Sequence, residues 1–336
     1  MSQFIRKIIW HLCGGDNYCL DVYDSRQLVK LCLAYYYSNR NAKIKLVQDQ
    51  KLVVAMCDGR AYHGGLSDRL RGITSLYAWC KELGVDFKIH FNYPFPLSRF
   101  LIPNHYNWIC SEEELSYNSR ESEPLCIYAH KRRIQDIEIQ RRRLDHIIKA
   151  HIKQFHVYTN TYLYDDIFKE MFHELFKPSE LLQREIDYNR NQIGEKYIAV
   201  VYRFQQLLGD FREDGYKVLS EEQREILMAQ CLKSLDSIFY KMLTVGGGKI
   251  LVTSDSTTFL ECAKKKDFVY VISGKVVHME YTTNASETVY LKSFVDLFML
   301  SYAEKVYLVV GPDMYHSGFA QRGAMISGVP YEEIYI

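Results

Sequence analysis

Apolar positions along this chain alternate between two spacings. Short apolar runs rich in β-branched residues, each closed by a polar or glycine-bearing turn, predict strands at KLVVAMC (51–57), DFKIHF (86–91), CIYAH (126–130), KQFHVYT (153–159), YIAVVYRF (197–204), KILVTSD (249–255), FVYVI (268–272) and KVYLVV (305–310). Between them, helical spacing predicts helices over 25–37, 66–82, 178–191, 220–243, 257–266, 288–303 and 317–327, with Ser256 as a cap. Strand, turn, helix and strand in succession is the order of a parallel α/β sheet, and it starts afresh at Tyr197. We therefore expect two Rossmann-like domains, residues 1–180 and 181–336, facing each other across a cleft, with ligands at the carboxyl ends of the strands.

A length of 336 residues suits two domains, and a net charge of +1 argues against nucleic acid as a partner. The nine cysteines include no CxxC pair and no zinc-site spacing, which points to reduced thiols, a cytoplasmic setting and no metal centre. Residues 1–18 are too polar for a secretory signal, and no uncharged apolar run reaches the length of a membrane span. Residues 131–153 carry eight Lys/Arg against three Asp/Glu. They read as a solvated helix face or, alternatively, as a patch for an anionic membrane surface or a phosphate-bearing acceptor.

Three loops at strand ends carry candidate chemistry. In HGGLSDRLRG (63–72), Gly64 and Gly65 let backbone approach a ligand and open a helix whose N-terminus attracts anions; the GxGxxG dinucleotide pattern is absent. Arg203 closes the apolar run IAVVY, where burial demands an anionic partner. Its fork suits phosphate, and a structural ion pair with an acidic side chain is the alternative. In HSGFAQRGAMISG (316–328), Ser317 can cap a helix, Gly318 permits close approach, and the amides through Phe319 can cradle a phosphate. Asp255 ends a strand and Asp296 lies in a helix. Either could accept from a ribose hydroxyl or from the N1/N2 edge of guanine, or serve as a cap or surface charge.

These residues carry a resemblance to the fucosyltransferase superfamily that includes the α1,2-, α1,6- and protein O-fucosyltransferases. GGLSDRLRGI resembles its GG-L/F-G-N/D-x-L signature, and IAVVYRF its VHVRR motif with Arg203 on the first arginine. ILVTSDS resembles the VFLATDD strand, with Asp255 on the aspartate. VDLFMLSYAEKVYLV followed by SGFAQRGA resembles the D-x-x-L-L-S-x-A-D segment and its serine-bearing phosphate loop. Val201 replaces the usual histidine, Phe204 replaces the second arginine, and GPDMYH lengthens the approach to the serine loop.

The resemblance implies a GT-B-like pair of domains, the first on the acceptor side and the second binding the nucleotide sugar. It implies inverting, metal-independent transfer of fucose from GDP-fucose, a substrate rather than a cofactor, to a glycan or lipid-linked oligosaccharide. Asp296 would face guanine, while Arg203 and Ser317 would hold the β-phosphate. Asp210 and Asp68 are the candidate bases. The alternatives are a transferase using another nucleotide sugar and a non-catalytic nucleotide- or sugar-binding protein of the same fold.

Overall fold

The computed structural model describes residues 22–40, 42–43, 46, 50–129, 134–211, 216–243, 248–280 and 286–336. The chain forms two compact units. One comprises residues up to Leu97 together with Pro103–Lys177, the other Ser98–Ile102 together with Pro178–Ile336.

In the first unit, β1 (Leu52–Cys57), β2 (Asp86–Phe91), β4 (Ser122–Ile127) and β5 (Gln154–Thr159) form a parallel sheet in the order β2-β1-β5-β4. A separate pair joins β3 (Leu101–Pro103) to β6 (Phe176–Pro178). All six residues of β1 are buried, as a central parallel strand requires. Helix α1 (Val22–Leu31) sets Leu28 and Leu31 in a cluster with Val54 and Met56. Helix α2 (Leu66–Leu83) approaches the end of β5 so closely that a Cβ at Gly72 would lie 2.4 Å from the Thr159 carbonyl oxygen. The third strand begins at Ser122, earlier than the expected 126–130; its Pro124 is tolerated because β4 is an edge strand.

The basic stretch folds as helix α3 (Ile134–Lys149); residues 131–133 lie outside the described ones. One of its arginines departs from the expected outward-facing charge run. Gln140, Arg143, Leu144 and Ile147 recur at helical spacing and are buried, so Arg143 points inward, pairs with Asp24 and donates to the Cys126 carbonyl at 3.1 Å. Arg142 pairs instead with exposed Glu138 one turn back. Helix α4 (Phe168–Leu175) completes the unit. Among the described residues, no helix is long and apolar enough to cross a membrane.

The second unit opens with helix α5 (Glu180–Ile193) and strand β7 (Tyr197–Tyr202), buried throughout. It continues through α6 (Glu221–Leu243), β8 (Lys249–Ser254), α7 (Thr257–Ala263), β9 (Val269–Tyr270), α8 (Thr288–Ser301), β10 (Val306–Val310), α9 (Gly318–Ser327) and β11 (Tyr331–Tyr335). All neighbours are parallel in the order β11-β10-β7-β8-β9. The chain thus starts at the middle of the sheet, winds outward through β8 and β9, then crosses to β10. The direction of winding reverses between β7 and β10, where the carboxyl ends of strands leave a crevice. On one face, Leu227, Cys231, Leu235 and Ile238 of α6, one turn apart, pack on Ile198, Val200 and Tyr202. On α9, a Cβ at Gly323 would meet the Leu300 side chain of α8 at 2.6 Å. β9 is shorter than the expected 268–272, and β11 is an edge strand that the apolar pattern did not predict.

Candidate functional site

Three adjacent strand ends in the second unit bring sequence-predicted residues together. Arg203 follows β7, and its Nη1 donates to Asp255 Oδ2, just past β8, at 2.7 Å. The Arg203 side chain is 15% exposed and that of Asp255 1%, so the pair is largely withdrawn from solvent. The Phe204 amide donates to Asp255 Oδ1 at 2.9 Å and the Gln205 amide to Oδ2 at 2.7 Å. Those two bonds hold Gln205 at φ +55°, a left-handed conformation that a side chain with a Cβ seldom adopts. Asp255 therefore organises the turn that aims Arg203. Burial pushes its carboxyl above its ordinary range, against the opposing pull of Arg203 and the amides.

The loop leaving this turn reaches Asp210, whose Oδ2 accepts from the Ser256 hydroxyl at 2.9 Å and the Thr258 amide at 2.7 Å. Its Oδ1 is buried without a hydrogen-bond partner among the described residues. Asp210 borders a cavity of about 460 Å³ lined by Gln206, residues 209–211 and residues 275–278. This is the size of a small-ligand site. Phe211, one of its walls, lies beneath the Arg203 guanidinium, 4.8 Å from ring centroid to carbon. His278 Nδ1 accepts the Glu280 amide at 3.2 Å, so a neutral ring carries its proton on Nε2. Lys275 and His278 carry no signal in the sequence: their loop after β9 has neither periodicity nor a glycine-rich signature.

Ser317 caps α9, its Oγ accepting from the Phe319 amide at 3.2 Å, with Gly318 as the first helical residue. The Tyr315 amide donates to the Arg203 carbonyl at 3.4 Å, joining this loop to the end of β7. Asp296 stands apart from that group. It is buried in α8 with both oxygens 2.8 Å from Lys292 Nζ, and burial pushes its carboxyl upward against the lysine. Gly274, at φ +112°, packs over this lysine: its missing Cβ would lie 3.3 Å from Lys292 Cδ.

The other predicted residues belong to the first unit. Gly65 is the N-cap of α2, and Gly64 has φ +73° with Asp68 directly behind it, 3.1 Å from where a Cβ would stand. Asp68 pairs with Arg71 at 2.9 Å and is 39% exposed. Arg69, 1% exposed, donates from Nε to the Gly64 carbonyl at 2.9 Å and from Nη1 to the Tyr93 carbonyl at 2.6 Å, fixing the glycine turn. Just after β1, Asp58 accepts from the Tyr158 hydroxyl at 2.9 Å, and Arg60 lies between the rings of Tyr35 and Tyr117 at 4.1 and 4.6 Å. Farther along β5, neutral His156 accepts from the Tyr36 hydroxyl at 2.6 Å and donates to Gln154 at 2.7 Å; burial lowers its pKa to about 3.

No protein-family model and no curated sequence matches the chain. Solved structures do. The NodZ α-1,6-fucosyltransferase soaked with GDP-fucose superposes with a TM-score of 0.55 at 14% identity, over 85% of this chain and 95% of that one. Fucosyltransferase NodZ from Bradyrhizobium gives 0.53 at 13%, over 85% and 96%. A mutant of Arabidopsis thaliana FUT1 in complex with GDP gives 0.54 at 13%, over 97% and 82%. The chain thus has the fold of the fucosyltransferases NodZ and FUT1, GT-B-like in its parallel α/β sheets.

Proposed function

We propose that this chain is a glycosyltransferase that moves fucose from GDP-fucose to a hydroxyl of a glycan or lipid-linked oligosaccharide, with inversion and without a metal ion. The observation that carries the reading is Arg203, held by Asp255 at the winding reversal of a fold whose solved neighbours include one soaked with GDP-fucose and one in complex with GDP. In the reaction, the bond from C1 of fucose to the β-phosphate oxygen breaks and its electron pair leaves on GDP. The acceptor oxygen bonds to C1 from the opposite face, and its proton passes to a base. Charge grows on the departing diphosphate, so a preorganised arginine and helix amides stabilise the transition state more than the bound substrate. Arg203 and the α9 N-terminus at Ser317, Gly318 and Phe319 take that role here, and Asp210, its Oδ1 unpartnered among the described residues, is the base in this reading. Asp68, paired with Arg71 behind Gly64, has a structural task. Synthesis of a polysaccharide in the cytoplasm, with exposed arginines of residues 131–153 touching a membrane, completes the proposal.

Guanine presents an acceptor at O6 beside donors at N1 and N2, and Lys292 beside Asp296 offers the complementary pair. The same ion pair, occupying both Asp296 oxygens, is also the observation that favours another nucleotide sugar. Thermal shift with GDP, UDP and ADP separates the two readings. At a hundred times its Kd a ligand adds about 2.7 kcal/mol, so GDP should raise the Tm well above the other two. Equal shifts by all three remove the guanine assignment. Turnover of GDP-fucose that vanishes with EDTA and returns with manganese removes the metal-free mechanism.

A further inference from the structure

We infer that Lys275 supplies the second positive charge for the diphosphate of the donor, an inference that rests on the nucleotide-sugar reading above. The charges at the strand ends do not suit a diphosphate by themselves. Arg203 contributes one positive charge, Asp255 and Asp210 two negative ones, and two of these three groups are already paired. The position after Arg203 cannot add a cation. It is Phe204, fully buried, and its ring centroid lies 5.1 Å from that of Phe259 within the core.

The cavity itself holds the missing charge. Lys275 lines it opposite the loop of Asp210 and Phe211, is exposed, and has no carboxylate in ion-pair contact among the described residues. Gly274 delivers it there. Its left-handed φ of +112° turns the loop, and its lack of a side chain lets the backbone lie on Lys292, the partner of Asp296. One short loop therefore runs from the Lys292–Asp296 pair to the Asp210 wall, with Lys275 between. A nucleoside diphosphate whose base lies toward Lys292 and Asp296 would pass its phosphates by Lys275 and place its sugar beside Asp210 and Phe211. A lysine suits this position because a flexible ammonium can follow the phosphate as charge moves from the sugar bond onto it.

The test is calorimetric titration of GDP and guanosine into the wild type, Lys275→Gln and Lys275→Arg, with Tm measured on each protein. We expect the wild type to bind GDP more tightly than guanosine. Lys275→Gln should weaken GDP about tenfold while leaving guanosine and Tm unchanged, and Lys275→Arg should recover most of the loss. Wild-type affinity for GDP in Lys275→Gln would overturn the role of Lys275 and leave the donor assignment standing. A wild type that binds GDP no better than guanosine would overturn the diphosphate site. A wild type that binds neither would overturn this inference and the nucleotide-sugar reading together.

Discussion

Replacing Arg203 with alanine separates the structural job of this side chain from the catalytic one proposed for it. As a structural partner, Arg203 neutralises a carboxylate that is 1% exposed. Removing one member of a buried pair typically costs about 3–5 kcal/mol. Here the cost should fall at or below the lower end, because Asp255 keeps the Phe204 and Gln205 amides and burial already favours its protonated form. As a donor to the leaving diphosphate, the same residue should be worth about 10²–10³-fold in kcat. Arg203→Ala should therefore stay folded, with stability lower by about 2–3 kcal/mol, and lose turnover far beyond that. Arg203→Lys should keep most of the stability and little of the rate, since an ammonium bonded to Asp255 has no second prong for phosphate. Asp255→Asn should disturb the Gln205 turn, because an amide NH₂ presented to a backbone N–H repels it. Urea denaturation and GDP-fucose turnover on the same preparations provide both readouts. A stably folded Arg203→Ala protein with near-wild-type sugar transfer would refute the catalytic half of the argument.

Two further expectations concern the first unit. Arg143→Ala should destabilise the chain by about 3–5 kcal/mol by removing the ion-pair partner of buried Asp24, whereas Arg142→Ala should change stability by less than about 1 kcal/mol. If the membrane proposal holds, neutralising Arg141 and Arg142 should weaken binding to anionic vesicles, and unchanged vesicle binding would remove it. His156 keeps its neutral form down to about pH 3, while its unfolded-state value is 6.5. Its contribution is thus complete above pH 6.5 and is lost as pH falls toward 3, about 2 kcal/mol of it by pH 5. Denaturation at pH 7 and pH 5 should show a smaller difference in His156→Gln than in the wild type, and equal differences would refute the assignment.

Most of the fold was legible because buried parallel strands are continuous apolar runs: IAVVY could scarcely be anything else. The residues around Arg203 were legible for a related reason, since an arginine ending such a run must find an anion. Which anion was not legible. Asp255 lies 52 residues onward, and only the pairing of β7 with β8 brings it alongside. Arg143 was hidden in a run of three arginines, where composition suggests a solvated face and only helical phase separates the inward residue from its neighbours. β11 was missed because YEEIY carries its glutamates on an edge strand, where the alternation is polar. Lys275 and His278 were missed because a loop residue acquires meaning from what stands opposite it.

The excursion of Ser98–Ile102 into the second unit has a consequence for dissecting this protein. Phe100 packs at a tilt against Phe294 of α8 with centroids 4.7 Å apart, and its carbonyl accepts the Ser179 amide at 2.8 Å, just ahead of α5. The second unit is therefore not a contiguous stretch of chain. A fragment beginning at Pro178 would leave an aromatic-sized hole beside α8 and an unmet donor at the start of α5. During synthesis those five residues emerge about eighty residues before the rest of their unit. Phe100 must wait for its place on α8 until Phe294 is made, so the second unit closes its core only late in synthesis.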